Sequence, residues 1–217
     1  MSLAKKFDHK LKNTLGLHSA WPPGSAIDIG DIMVKGDGLH TQIGNLTDFG
    51  VTFNTVPENG IEVIFESQYV EVETMQGGAN VGLLDIVPGI EAEAEIQFKK
   101  QETYFFRTPK LKGVSIDNLS AVADQIVDIK DWKHQQYFIA WKVMTADGFT
   151  FLGSKQSQKK VKYAGSGDAI VKFIKIGVNA GISKTVDTGV SLQIVGEQGP
   201  VAVGYVRVKS NGLFSIV

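Results

Sequence analysis

The chain is 217 residues long, with a formal charge of −1 at pH 7 and 43% hydrophobic residues; it can bury a sizeable core and exerts no global pull on nucleic acid. It has no cysteine, which excludes disulfides, thiolate nucleophiles, cysteine-ligated zinc and thioester lipidation. Lysine supplies nearly all the positive charge; Arg107 and Arg207 are the only arginines, an argument against bidentate recognition of phosphates or bases.

In chain order, Leu3, Phe7, Leu11 and Leu15 recur every fourth residue among Lys5, Lys6, Lys10 and Lys12. This predicts an amphipathic N-terminal helix with a basic face, stopped near Gly16. Trp21-Pro22-Pro23-Gly24 breaks the helical pattern and opens an extended segment. A strand is expected over Asp28–Val34, a tight turn at Lys35–Gly38, and a further strand over Leu39–Ile43. The β pattern continues through Phe49–Val56 and Ile61–Met75, with Pro57-Glu58-Asn59-Gly60 read as the turn between them.

Ile90 to Lys100 reads I-E-A-E-A-E-I-Q-F-K-K. Ile90, Ala92, Ala94, Ile96 and Phe98 fall on one face of an extended strand, and Glu91, Glu93, Glu95, Gln97 and Lys99 on the other. Such alternation suits first of all a half-buried strand of an ordinary sheet; its length also matches a strand of a closed membrane barrel, which needs about 9–11 residues. The glycine-rich Gln76–Gly89 segment joins this run to Tyr69–Thr74, as the soft tip of a long hairpin would.

Further on, Ile116, Leu119, Ala123 and Ile126 predict a helix within Ser115–Ile129, with Ser115 or Asp117 as its cap. Tyr137–Met144 is almost continuously apolar and suits a central strand. Lys155, Lys159, Lys160 and Lys162 mark a polar strand, and Gly165–Asp168 a loop. Residues Ala169–Ile194 read as a second alternating pair turning across Ala180–Thr188, before β-rich Val201–Val208 and Leu213–Val217.

Chemistry-bearing constellations are missing from this pattern. His9, His18, His40 and His134 have no metal-ligand spacing, and Asp28, Asp31 and Asp37 do not match a calcium loop. Gly165-Ser166-Gly167 lacks the remainder of either a dinucleotide or a P-loop fingerprint. We expect no catalytic, cofactor-binding or metal-ligating residues, and hence no enzyme. The lysines of the N-terminal helix suit an anionic membrane surface, or simply water above a sheet. Those near Lys160 suit a solvated strand face.

The order of these elements resembles the pore-forming domain of gasdermins, especially the compact bacterial ones. The similarity is carried by the basic helix, the glycine-interrupted pair over Tyr69–Phe98 and the strand F-R-T-P-K at Phe106–Lys110. It continues through the Ser115–Ile129 helix, the strand from Tyr137, the Lys/Ser-rich Ser154–Lys162 and V-G-Y-V-R-V at Val203–Val208. Bacterial members carry a lipidated cysteine near the N-terminus, which this chain lacks.

The resemblance implies a membrane-targeting pore-former of bacterial defence or cell death, with anionic lipid and its own copies as partners. Lys5, Lys6, Lys10 and Lys12 would bind the membrane. Two alternating hairpins, including Ile90, Ala92, Ala94, Ile96 and Phe98, would form the barrel. The alternative is a soluble β-rich interaction or assembly module of phage or secretion-system type. The expected fold is α+β in one domain, residues 1–217: a twisted, mostly antiparallel sheet with the N-terminal helix and one further helix packed on it. With no apolar leader in the first twenty residues, a cytoplasmic location is expected, with membrane association upon activation.

Overall fold

The structure, a computed structural model, describes residues 1–36, 39–66, 69–129, 132, 137–177, 179–187, 190–208 and 214–216. His134 and the Asp37-Gly38 turn tip lie outside the described residues, as do Thr188, Leu213 and Val217. The chain is an α+β protein. Its elements begin with α1 (Leu3–Leu15), β1 (His18–Ser19), β2 (Asp31–Gly36), β3 (Leu39–Asn45), β4 (Thr55–Glu66), β5 (Val70–Gln76), β6 (Ala79–Asn80) and β7 (Glu91–Phe98). There follow β8 (Thr103–Ile116), α2 (Leu119–Val127), β9 (Tyr137–Ser154), β10 (Lys159–Ser166), α3 (Gly167–Ile176), β11 (Ser183–Asp187), β12 (Leu192–Val208) and β13 (Phe214–Ile216).

Two compact units divide the chain: Met1–Phe7, Glu62–Lys110 and Ala146–Gln198 in the first, and Asp8–Ile61, Leu111–Thr145 and Gly199–Val217 in the second. The first contains a five-stranded sheet in the order β11-β10-β7-β5-β6, with register pairs antiparallel throughout. Val70 faces Phe98 across β5 and β7, and Gln76 faces Ala92, so the two alternating runs pair as the sequence predicts. Side chains alternate between faces. Ala92, Ala94, Ile96 and Phe98 therefore share one face with Val161 and Tyr163 of β10, and α3 covers it with Ile170, Phe173 and Ile174.

Helix α3 corrects the expected second strand pair, because Gly167–Ile176 is helical and β11 pairs with β10. Its end signals are local. Ser166 Oγ accepts the Ala169 N–H at 3.4 Å, Asp168 sits in the first turn, and Gly177 closes the helix in the left-handed region at φ 75°. A side chain at Gly177 would also lie 2.6 Å from the Arg107 carbonyl oxygen, so both conformation and space call for glycine. Within the same unit, Phe7 packs its ring 5.3 Å from Tyr104 and 5.1 Å from Phe151.

Strands β1, β2, β3 and β13 lie in the second unit and, with β4, β8, β9 and β12, form an eight-stranded sheet in the order β1-β12-β9-β2-β3, with β13 on β12, and β4 joined through β8 to β9. Adjacent residues of its strands point to opposite faces. Ile32, Ile139 and Val206 belong to one core with Val122, Ala123 and Ile126 of α2. Met33, Phe138, Ala140 and Tyr205 belong to another with Ala20 and Ile27. Both faces are thus covered, which is why these strands read as continuously apolar.

Other sequence expectations shift here. Pro57–Gly60 is no turn but part of β4, whose one partner among the described residues is β8; an edge strand tolerates a proline because its outer N–H is not needed. The strand expected from Phe49 starts only at Thr55, after a 3-10 turn over Leu46–Phe49. The strand expected from Asp28 starts at Asp31, whose buried carboxylate accepts from Asp28 N–H at 2.8 Å and Asn45 Nδ2 at 2.9 Å. Ser115 lies in β8, and the α2 cap is Asn118, whose side chain instead accepts the Asn54 N–H at 2.8 Å.

Candidate functional site

Helix α1 forms because Leu3, Phe7 and Leu11 make one apolar stripe, and all three are buried. In the first unit, Lys5 is exposed and Lys6 is half-buried, its Nζ 3.4 Å from the Gln101 carbonyl oxygen. In the second, Lys10 and Lys12 are exposed. Asp8 interrupts this basic run. Its Oδ1 accepts from Ser19 N at 2.7 Å and lies 3.2 Å from His18 Nδ1. Burial works to raise the Asp8 carboxyl, but the bonds from His18 and Ser19 outweigh it and hold the carboxyl below its usual 3.8.

The strand candidates divide. Ala92, Ala94, Ile96 and Phe98 are buried on the face beneath α3, whereas Ile90 precedes the strand and is exposed. The opposite face of the same sheet carries charge. Glu73 and Glu95 stand directly across from each other, a repulsive placement that Lys160 and Lys162 offset by ion-pairing with Glu95 at 3.3 and 3.2 Å. Lys99 pairs with Glu71 on β5. Lys160 and Lys162 of the lysine run and Glu95 of the glutamate row, far apart in the sequence, meet in one ion-paired group. The cross-strand register that joins them is set by tertiary structure.

Lys100 Nζ lies 3.6 Å from the centroid of the Tyr69 ring, and its hydrogen bond and charge lower the Tyr69 pKa. Burial raises the Tyr104 hydroxyl to about 12. The Arg107 guanidinium packs 5.2 Å from the Phe105 ring and Arg207 4.6 Å from the Phe138 ring. His18 and His40 gather with Tyr205, the His40 ring inclined at 31° with its centroid 4.2 Å from that of the tyrosine. Among the described residues no group of three or more His, Asp or Glu side chains is placed to hold a metal ion, and no helix is long and apolar enough to cross a membrane.

The glycine-rich Gln76–Gly89 segment, expected as a soft tip, is fixed by side-chain bonds that its composition does not show. The Gln76 carboxamide accepts the Val87 N–H at 2.9 Å and donates to Val87 O at 3.0 Å; Asp168 accepts the Gly89 N–H at 3.1 Å. A single glutamine bracketing a residue eleven positions away leaves no periodic signal. The exposed apolar residues in L-L-D-I-V-P-G-I were the one available clue.

No protein-family model matches the chain, and no curated protein matches it. Among solved structures it is similar to the gasdermin A3 membrane pore, with TM-score 0.40 and 11% identity over 100% of this chain and 94% of that one. It is also similar to a bacterial gasdermin from Bradyrhizobium tropiciagri, with TM-score 0.36 and 14% identity over 97% of this chain and 90% of that one.

Proposed function

We propose that the chain is a gasdermin-like, membrane-targeting pore-former of bacterial defence or cell death, without catalytic activity. The observation that carries this reading is the antiparallel β5–β7 pair. On β7, Ala92, Ala94, Ile96 and Phe98 make one face wholly apolar, while Glu91, Glu93, Glu95 and Gln97 make the other polar. A closed barrel in a bilayer requires that two-sided pattern, lipid on one side and water on the other. The apolar face is occupied by α3 in this fold. Insertion therefore requires α3 to leave, and the copies must join edge to edge because unpaired strand edges are not tolerated in hydrocarbon. Lys5, Lys6, Lys10 and Lys12 of α1 provide the first attraction to anionic lipid.

The complete burial of Ala94 favours a second reading, a non-lytic β-rich assembly module in which β7 is ordinary core. Dye release from anionic vesicles, with and without a trace of protease, separates the two. Leakage that scales with protein and is absent from vesicles lacking anionic lipid supports the pore. Its absence under every trigger transfers the assignment to the assembly module.

A further inference from the structure

Between β6 and β7 the chain displays apolar side chains to water from a fixed loop. Leu84 is 84% exposed, Val87 49% and Ile90 53%. The loop is held by the Gln76 carboxamide on Val87, by Asp168 on the Gly89 N–H, and by Gly167 N–H donating to Ile90 O at 2.8 Å. Ile86 is buried between the exposed positions and anchors them to the α3 side of the unit. The backbone is tied down while the large apolar side chains point away. Leu84 lies beside Leu83 and Pro88 along one shallow concavity, and apolar surface left uncovered side by side marks an interaction site.

The surroundings indicate which partner. Lys172 and Lys175 are exposed on α3 and line, with Leu83, Leu84, Pro88 and Val171, a shallow concavity of about 250 Å3. Of the nearby acids, Asp168 and Asp85 are turned to local use, while Glu91 and Glu93 lie exposed beside Ile90, away from these lysines. Asp168 accepts from the loop, and Asp85 folds back over Gly82, where an added side chain would meet its Oδ2 at 2.4 Å. A second copy docking by the same face would set these lysines against their like, whereas lipid phosphates would neutralise them.

We propose that this loop and the C-terminal half of α3 form a contact with a phospholipid membrane surface. Leu84 and Val87 enter the boundary between headgroups and acyl chains, and Lys172 and Lys175 lie at the level of the phosphates. The contact rests on the membrane-targeting part of the function above and does not require a pore. It adds a docking site distinct from the α1 lysines.

The test is flotation of the full chain with phosphatidylcholine vesicles, with and without phosphatidylglycerol, comparing wild type, Leu84→Asp, Lys172→Glu/Lys175→Glu and Lys5→Glu/Lys12→Glu. Leu84 is exposed, so Leu84→Asp is expected to melt like wild type while its partition falls about tenfold, the effect of losing one inserted leucine. The Lys172→Glu/Lys175→Glu variant should lose more on phosphatidylglycerol vesicles than on phosphatidylcholine alone. If Leu84→Asp binds like wild type while the α1 variant does not, this contact is overturned and the membrane-targeting function stands. Wild type that floats without leakage sinks the pore and keeps the contact. Wild type that never floats removes both. If Leu84→Asp only turns a dimer into a monomer by sedimentation velocity, the face is a self-contact and the proposal fails.

Discussion

The Phe173 ring lies 4.6 Å from the Tyr163 ring, its plane inclined at 48°, and this contact seats α3 on the apolar face shared by β10 and β7. Both rings are almost completely buried, so the pair contributes area as well as geometry. Phe173→Ala should cost roughly 3–5 kcal/mol of stability by leaving a cavity under the helix. If α3 restrains the inserting strands, the same variant should also leak vesicles faster than wild type under identical conditions. Destabilisation without faster leakage would leave α3 as core packing only.

Ala94 offers the converse test. It sits at 0% exposure opposite Tyr163, so Ala94→Arg should destabilise the protein by roughly 3–5 kcal/mol through burial of an unpaired charge. A normal melting temperature for this variant would contradict the placement of α3 over β7. A folded variant that had lost vesicle leakage would instead identify Ala94 as a lipid-facing position.

On α1, Lys5 and Lys12 are exposed, so reversing both to glutamate should leave the melting curve unchanged. Each lysine at an anionic surface contributes about 1 kcal/mol, so the double reversal should weaken binding to phosphatidylglycerol vesicles roughly thirtyfold. Lys6 belongs in a separate variant because its ammonium also reaches the Gln101 carbonyl. Equal binding by the double variant and wild type refutes the lipid role of this face.

The Asp8 carboxyl is held below 3.8 by His18 and Ser19. A carboxyl depressed in the fold stabilises it above the unfolded value, and that contribution disappears as pH falls through the lower folded value. Wild type should therefore lose stability as the solution is acidified past about pH 4, and Asp8→Asn should flatten that part of the profile. Chemical denaturation at a series of pH values reads it directly. Parallel acid limbs for the two proteins would show that Asp8 is not the group responsible.

Much of the first unit is legible in the sequence. The alternation over Ala92–Phe98 and the run from Tyr69 each define a two-sided strand by period alone, and the antiparallel β5–β7 register follows that pattern. The apolar stripe Leu3–Phe7–Leu11 likewise needs only its own spacing, and Gly16 follows the helix at φ 69° as its expected stop. The misreadings have physical causes. Pro57 and Gly60 are turn formers by type, yet an edge strand accommodates them. Asn118 makes no side-chain capping bond of its own, since its carboxamide serves Asn54, a partner 64 residues away.

What the sequence determined alone is therefore the set of elements whose hydrophobic period is unambiguous: the basic amphipathic helix, the alternating strands, and an α+β protein without cysteine chemistry. Tertiary structure decided what covers them. Residues Ala169–Ile176 are nearly all apolar and fit a strand as well as a helix; Ile170, Phe173 and Ile174 can bury together on β7 only in helical spacing. The pairing of Glu95 with Lys160 and Lys162, and the bracing of Val87 by Gln76, likewise depend on cross-strand register and chain reversal. Periodicity is local and can be read from one segment, whereas a covering face or a charge partner exists only once distant segments meet.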